Sequence, residues 1–140
     1  MNTRHAAVWM DHNEARIFHV TADAFDTLAV RSPNRHLHRH PIGREETTHP
    51  TDAKRFFGEV AHALGEVSEV LVLGPSTAKL EFLRYLHTNA RALEAKVVGI
   101  ETVDHPTDGQ LVAYVRRYFR AIDRMRGSPP STRGKALGGA

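Results

Sequence analysis

The sequence predicts an α/β domain built on a mixed five-stranded sheet with helices on both faces. Three strand-like segments at the start of the chain are separated by short polar turns, which is typical of an antiparallel meander. After residue 50, apolar residues at helical spacing alternate with short continuous apolar runs, as in parallel βαβ units. With 140 residues, 41% of them apolar, the chain has room for one domain core.

The meander is predicted from the first 30 residues. A strand over residues 6–10 ends at the polar turn 11–13, and a second strand over 14–20 runs back along it. A third strand over 24–30 completes the meander. Residues 31–50 contain three prolines and one glycine and have no apolar period, so they predict a long basic loop rich in histidine.

Helices and strands alternate from residue 51. Thr51 or Asp52 can cap a first helix that ends at Gly65, with this apolar stripe: Ala53, Phe56, Phe57, Val60, Ala61 and Leu64. The run 70–73 predicts a strand buried on both faces. A turn leads from it into a second helix, whose predicted buried side is Ala78, Leu80, Phe82, Leu83 and Leu86. A short helical piece near Leu93 precedes another buried strand over 97–100.

The last helix is predicted to begin near residue 108, because Thr107 and Gln110 have the spacing of a capping box. Its apolar residues are Leu111, Val115, Tyr118, Phe119 and Ile122. Glycine and proline from residue 127 onward predict a flexible basic tail over 127–140 and a single domain over 1–126. Right-handed crossovers would make the two later strands parallel to the first, which is the connectivity of a ribonuclease-H-like motif.

Composition excludes several kinds of chemistry. The chain has no cysteine, so disulfides, thiolate nucleophiles and cysteine-ligated metal sites are excluded. No apolar run reaches the ~18–20 residues of a membrane-spanning helix, and the first residues lack the apolar stretch of a signal peptide. We therefore expect a cytoplasmic protein with no membrane partner.

Positive charge is concentrated in two stretches of a chain whose net charge is +3. Residues 116–140 carry six more basic than acidic residues, and the segment 31–55 is also basic. Clustered cations predict an anionic partner, most simply RNA, although a solvated surface with a solubilising tail accounts for the charge equally well. The candidate RNA contacts are Arg31, Arg35, Arg39, Arg44, Lys79, Arg116, Arg117, Arg120 and Arg124.

The turn between the fourth strand and its helix is a candidate anion site. Gly74, Ser76, Thr77 and Lys79 lie where the free N–H groups and the dipole of a helix N-terminus could hold a phosphate of RNA. The turn lacks the second glycine and the Lys-Ser/Thr ending of a Walker loop. A purely structural turn is the alternative.

Two further patterns indicate metal chemistry as an alternative function. His36, His38 and His40 alternate, so an extended backbone would project three imidazoles to one side, where they could bind zinc, nickel or copper with His49 as a fourth ligand. Asp11, Glu101 and Asp104 lie near predicted strand ends, where a magnesium-dependent nuclease would hold its ions. Ordinary loop and turn roles explain both sets as well.

Three stretches carry a resemblance to a known family. Residues 8–18, 71–79 and 97–110 resemble small bacterial proteins called translational machinery proteins and, more distantly, the middle domain of archaeal and eukaryotic class I release factors and Pelota. The likeness spans roughly residues 5–125. In those release factors a Gly-Gly-Gln loop assists peptidyl-tRNA hydrolysis, and the corresponding segment 31–50 lacks this tripeptide.

The resemblance implies a domain that associates with the ribosome or with structured RNA, and the missing tripeptide argues against release activity. We therefore expect a non-catalytic translation module without a cofactor. The alternatives are a metal-dependent hydrolase, with zinc at the histidines or magnesium at the strand-end carboxylates, and a protein-interaction module.

Overall fold

The computed structural model describes residues 4–33 and 50–126 of the chain. Its elements are β1 (His5–Met10), β2 (Glu14–Val20), β3 (Phe25–Arg31), α1 (Pro50–Leu64), β4 (Glu69–Gly74), α2 (Ala78–Asn89), α3 (Arg91–Glu94), β5 (Val97–Thr102) and α4 (Asp108–Met125). The chain divides into two compact units, Met1–His105 and Pro106–Ala140. The sheet and the first three helices belong to the first unit, and α4 belongs to the second.

The five strands form one mixed sheet in the order β3-β2-β1-β4-β5. β1, β2 and β3 are antiparallel neighbours, whereas β4 is parallel to β1 and β5 is parallel to β4. Asp11 explains the tightness of the first turn, because its Oδ1 accepts hydrogen bonds from the backbone N–H groups of Asn13 and Glu14 at 2.8 and 2.9 Å. The predicted α/β fold with a mixed five-stranded sheet is confirmed.

One face of the sheet packs against α1 and α2. Strand residues such as Val8, Ile17 and Val72 alternate toward this side, where they meet the apolar stripes of the two helices, chiefly Phe56, Phe57, Val60, Leu64, Phe82 and Leu86. The ring of Phe57 lies 5.7 Å from that of Phe82. Gly65, which ends α1, has φ +66°, a left-handed conformation that glycine adopts without strain. The other face of the central strands is buried too, at Ala7, Trp9, Phe18, Leu71 and Leu73.

Helix α4 begins as the sequence predicts. The Thr107 side chain accepts a hydrogen bond from the backbone N–H of Gln110 at 3.2 Å, and the Gln110 side chain accepts one from the Thr107 N–H at 2.9 Å. This reciprocal pair is the predicted capping box. The buried residues of the helix are Leu111, Val112, Val115 and Phe119.

Three local predictions are wrong. α1 begins at Pro50, so Thr51 and Asp52 lie inside the helix, and proline is favoured at a first helical position because its missing N–H is not needed there. Leu80 is 47% exposed, because it is out of phase with the buried series Ala78, Phe82 and Leu86. β5 is only partly buried, because it lies at an edge of the sheet beside β4.

Other predictions fall on residues that the structure does not describe. The tail over 127–140 and residues 34–49 of the basic loop lie outside the described residues, so these predictions stay predictions. None of the helices within 4–33 and 50–126 has the length and apolar character needed to cross a membrane.

Candidate functional site

The clearest group of exposed cations lies on helix α4. At about 100° per residue, its four arginines occupy roughly a third of the helix circumference, and they are Arg116, Arg117, Arg120 and Arg124. The buried residues of α4 lie on the opposite side of the helix axis, because the helix is amphipathic. We call these four arginines the arginine face.

Three of the four side chains are exposed, and Arg116 is half-buried. The guanidinium carbon of Arg117 lies 5.9 Å from the ring centroid of Tyr114, which gives this arginine a cation–π contact. Within the described part of the chain, no ion pair joins Arg117, Arg120 or Arg124 to a carboxylate. The arginine face can therefore offer charge to an external anion.

Outside α4, only part of the predicted RNA-contact set can be placed. Arg31 lies at the end of β3 with a 57% exposed side chain, and its Nη1 is 3.7 Å from Oε1 of Glu14 across the hairpin. An exposed pair of this kind is weak and can exchange for another anion. Arg35, Arg39 and Arg44 lie outside the described residues, as do the candidate metal ligands His36, His38 and His40.

The turn after β4 has a geometry that the sequence did not predict. Lys79 is buried, and its ammonium group donates a hydrogen bond to the carbonyl oxygen of Ser76 at 2.8 Å. The hydroxyl of Thr77 donates to Oε2 of Glu81 at 3.2 Å, and the Glu81 carboxylate also meets His12 Nε2 at 3.2 Å. The helix start thus has a carboxylate of its own chain beside it. Anion binding by Gly74, Ser76, Thr77 and Lys79 stays a prediction.

The Trp9 side chain connects the carboxyl end of β1 to the loop that follows β5. The indole N–H of the fully buried Trp9 donates to the backbone oxygen of Asp104 at 2.8 Å. The indole ring also lies 4.9 Å from the His105 ring and 4.7 Å from the guanidinium carbon of Arg16. The Trp9–Arg16 contact was not predicted from the sequence, although the two residues are direct cross-strand partners in the hairpin.

Of the strand-end carboxylates in the nuclease alternative, Asp11 and Asp104 both contact the His105 ring, at 3.7 and 3.2 Å. Asp11 serves the hairpin turn, and the Asp104 side chain is 94% exposed beside His105. Within residues 4–33 and 50–126, Asp11, Glu101 and Asp104 do not form a group of three ligands within 4.8 Å of one another. Their geometry gives no support to a two-magnesium site.

A second group of basic residues was not predicted from the sequence. Arg4, His62 and Lys96 line a cleft of about 760 Å³ at the amino ends of the parallel strands. These residues are far apart in the sequence and belong to no motif. The parallel arrangement of β1, β4 and β5 explains the cleft, because it puts the amino ends of the three strands at one edge of the sheet.

Comparisons with known proteins identify the fold. No family model matches the chain. No curated protein matches it either. Among solved structures, Pelota of Thermoplasma acidophilum matches with a TM-score of 0.60 and 22% identity, over 89% of this chain and 34% of that chain.

Two other solved structures give the same result. The archaeal translation termination factor aRF1 matches with a TM-score of 0.51 and 16% identity, over 88% of this chain and 39% of its own. Dom34 of S. cerevisiae, described as a translation termination-like factor involved in RNA quality control pathways, matches at 0.54 and 11% identity, over 89% of this chain and 39% of its own. This chain therefore spans between a third and two fifths of these proteins, and it shares their fold over that part.

Proposed function

We propose that the chain is a non-catalytic module of the translation apparatus that binds ribosomal or other structured RNA. The observation that carries this proposal is the arginine face of α4. Arg117, Arg120 and Arg124 are exposed on one side of the helix and have no carboxylate partner within the described residues. Several guanidinium groups along one side of a helix suit an extended anion such as RNA, and a ribosomal location would make the chain cytoplasmic.

The mechanism follows from the chemistry of guanidinium groups. Each exposed arginine can pair with a backbone phosphate of RNA, and such pairing releases condensed counterions. Binding of this kind tolerates changes in RNA sequence and weakens steeply as salt is added. Arg117 keeps its contact with the Tyr114 ring, which limits the side-chain freedom lost on binding.

The fold matches support a translational role. The matched proteins include one described as a translation termination factor and one as a termination-like factor in RNA quality control. The chain has no Gly-Gly-Gln tripeptide, so we propose that it supplies an RNA-docking function and lacks release activity. The likeness to the bacterial translational machinery proteins stays an expectation.

The other predicted RNA contacts lie outside α4, and we propose that they add to its binding. Arg31 lies at the end of β3, next to the basic segment that carries Arg35, Arg39 and Arg44. This segment would add phosphate contacts, and so would Lys79 if its bond to Ser76 were exchanged. Zinc at His36, His38 and His40 stays a separate prediction, which metal analysis of protein purified without a histidine tag would check.

Co-sedimentation with purified ribosomes tests the proposal. The full chain should pellet with ribosomes at low salt and be released as salt rises. The triple variant Arg117→Gln, Arg120→Gln, Arg124→Gln should be released at lower salt, whereas the matched triple lysine variant, which keeps the charge, should stay close to the unsubstituted protein. If the folded glutamine variant pelleted like the unsubstituted protein at every salt concentration, the arginine face would not be the contact surface.

A further inference from the structure

The cleft at the amino edge of the sheet is built from the starts of all three parallel strands. Arg4, Ser68 and Lys96 each immediately precede one of them, and all three line the cleft. Its remaining walls come from the end of α1 with the following loop, and from the junction of α2 and α3. Every lining residue belongs to the unit Met1–His105.

Backbone hydrogen bonds hold the two cationic residues in place. The Arg4 N–H donates to the Ser68 hydroxyl at 3.1 Å, and the Arg4 carbonyl accepts from the Ser68 N–H at 2.8 Å. Lys96 donates from its N–H to Leu93 and accepts from the Val70 N–H, both at 2.9 Å. The cleft thus has fixed points from which the cationic side chains extend, and fixed points lower the entropy cost of binding.

The lining combines cations with a small apolar wall. The apolar residues are Ala61, Val67, Ala90, Ala92 and Leu93. The charged lining residues are Arg4, Lys96 and Glu66, and His62 also lines the cleft. Within the described residues, neither Arg4 nor Lys96 has an ion-pair partner. The chemistry matches an organic anion that has an apolar body.

We propose that this cleft binds a small organic phosphate of about nucleotide size. Its volume of about 760 Å³ lies inside the range of ~300–1,000 Å³ that is usual for small-molecule sites. Arginine pairs with phosphate through two parallel N–H···O bonds, and lysine adds a point charge. The phosphate would meet Arg4 and Lys96, and the apolar body would cover the alanines.

Arg4 and Lys96 could instead stabilise the negative end of a helix dipole, but this explanation fits less well than ligand binding. Cations do stabilise helix C-termini, and α1 ends at the cleft. However, two carbonyls in the last turn of α1 already have partners, since His19 Nε2 lies 2.9 Å from the Leu64 oxygen and the Gly65 N–H donates to His62 at 3.1 Å. Arg4 precedes a strand and lies on no helix. Arg4 is exposed at the cleft and is available to a ligand there.

Calorimetric titration of the full chain with AMP tests the site. AMP should bind saturably and more tightly than inorganic phosphate, and adenosine should not bind. The double variant Arg4→Gln, Lys96→Gln should bind AMP at least about tenfold more weakly, because a hydrogen bond to a charged group contributes that much or more. The double variant Lys54→Gln, Arg55→Gln has the same charge change at exposed positions of α1 and should bind normally.

A second variant tests the site even if the double variant Arg4→Gln, Lys96→Gln does not fold. Ala92 is exposed and lines the cleft, so Ala92→Glu should fold normally and weaken AMP binding by charge repulsion. The triple glutamine variant of the arginine face should bind AMP normally, which separates this site from the proposed RNA surface. The proposal is overturned if AMP fails to bind, if it binds no tighter than phosphate or adenosine, or if both double variants bind it equally.

The phosphate could come from a free nucleotide or from an RNA end. Short RNA oligonucleotides with a 5′-phosphate and with a 5′-hydroxyl separate these sources, measured in the triple glutamine variant so that α4 contributes little. A preference for the 5′-phosphate over AMP identifies an RNA end, and the reverse identifies a free nucleotide. The site is supported if the preference is lost when Arg4→Gln and Lys96→Gln are added. The site is overturned if the preference remains in that variant.

Discussion

At Gly74 the last residue of β4 passes directly beside the end of β1. A Cβ atom added to Gly74 would collide with the carbonyl oxygen of Met10, which is backbone and cannot rotate away. The collision arises from close approach of two strands, since Gly74 has no positive φ. The sequence indicates only a turn at this glycine, because its contact with β1 joins residues more than sixty positions apart.

The first prediction concerns this contact. Gly74→Ala should lower the free energy of unfolding by about 1–3 kcal/mol or more, because overpacking forces the strands apart. Urea denaturation followed by circular dichroism measures it. Gly109→Ala is the control, since nothing lies within 4 Å of its added Cβ and alanine favours a helix. A Gly74→Ala variant as stable as the control would show that β1 and β4 separate at little cost.

The second prediction concerns Trp9, whose N–H fixes the backbone of Asp104 at 2.8 Å. Trp9→Phe removes this donor and leaves space beside His105. It should lower the free energy of unfolding by about 1–3 kcal/mol. Urea denaturation followed by far-ultraviolet circular dichroism is suitable, because the variant has no tryptophan left to fluoresce. An unchanged midpoint would mean that the indole N–H contributes little to stability.

At the scale of elements, α4 begins at a capping box, in which the side chains of Thr107 and Gln110 each accept a hydrogen bond from the backbone N–H of the other residue. The third prediction is that Thr107→Ala lowers the free energy of unfolding of the helix by about 1 kcal/mol, because the N–H of Gln110 loses its acceptor. Thr107→Ser should cost much less, since it keeps the hydroxyl. Amide hydrogen exchange in the first turn of α4 measures both, and equal protection in the two variants would contradict the prediction.

The elements themselves were largely predictable, because their signals are local. Helical spacing identified α1 and α4, and the pair Thr107 and Gln110 identified the start of α4. The burial of β5 was not predictable from its apolar run, because burial depends on how many strands lie beside it and β5 is an edge. Leu80 shows a related limit, since an apolar residue out of phase with its helix remains exposed.

At the scale of the whole molecule, short connections and right-handed crossovers explain the sheet order, and the sequence alone predicted the antiparallel meander and the two later parallel strands. The two candidate sites differ in how far the sequence predicts them. The arginine face was predictable, because one helix carries it with a regular spacing. The amino-edge cleft was not, because Arg4 and Lys96 come together through the parallel pairing of strands that are distant in sequence.

The salt dependence of RNA binding tests the central claim most directly, and it is the fourth prediction. Filter binding of a structured RNA should give a linear fall of log K with log salt. The slope should become shallower by about 0.7–0.9 for each arginine removed, hence by roughly 2–3 in the folded triple glutamine variant. The triple lysine variant should keep the slope of the unsubstituted protein. A glutamine variant with an unchanged affinity and slope would contradict the proposed role of α4.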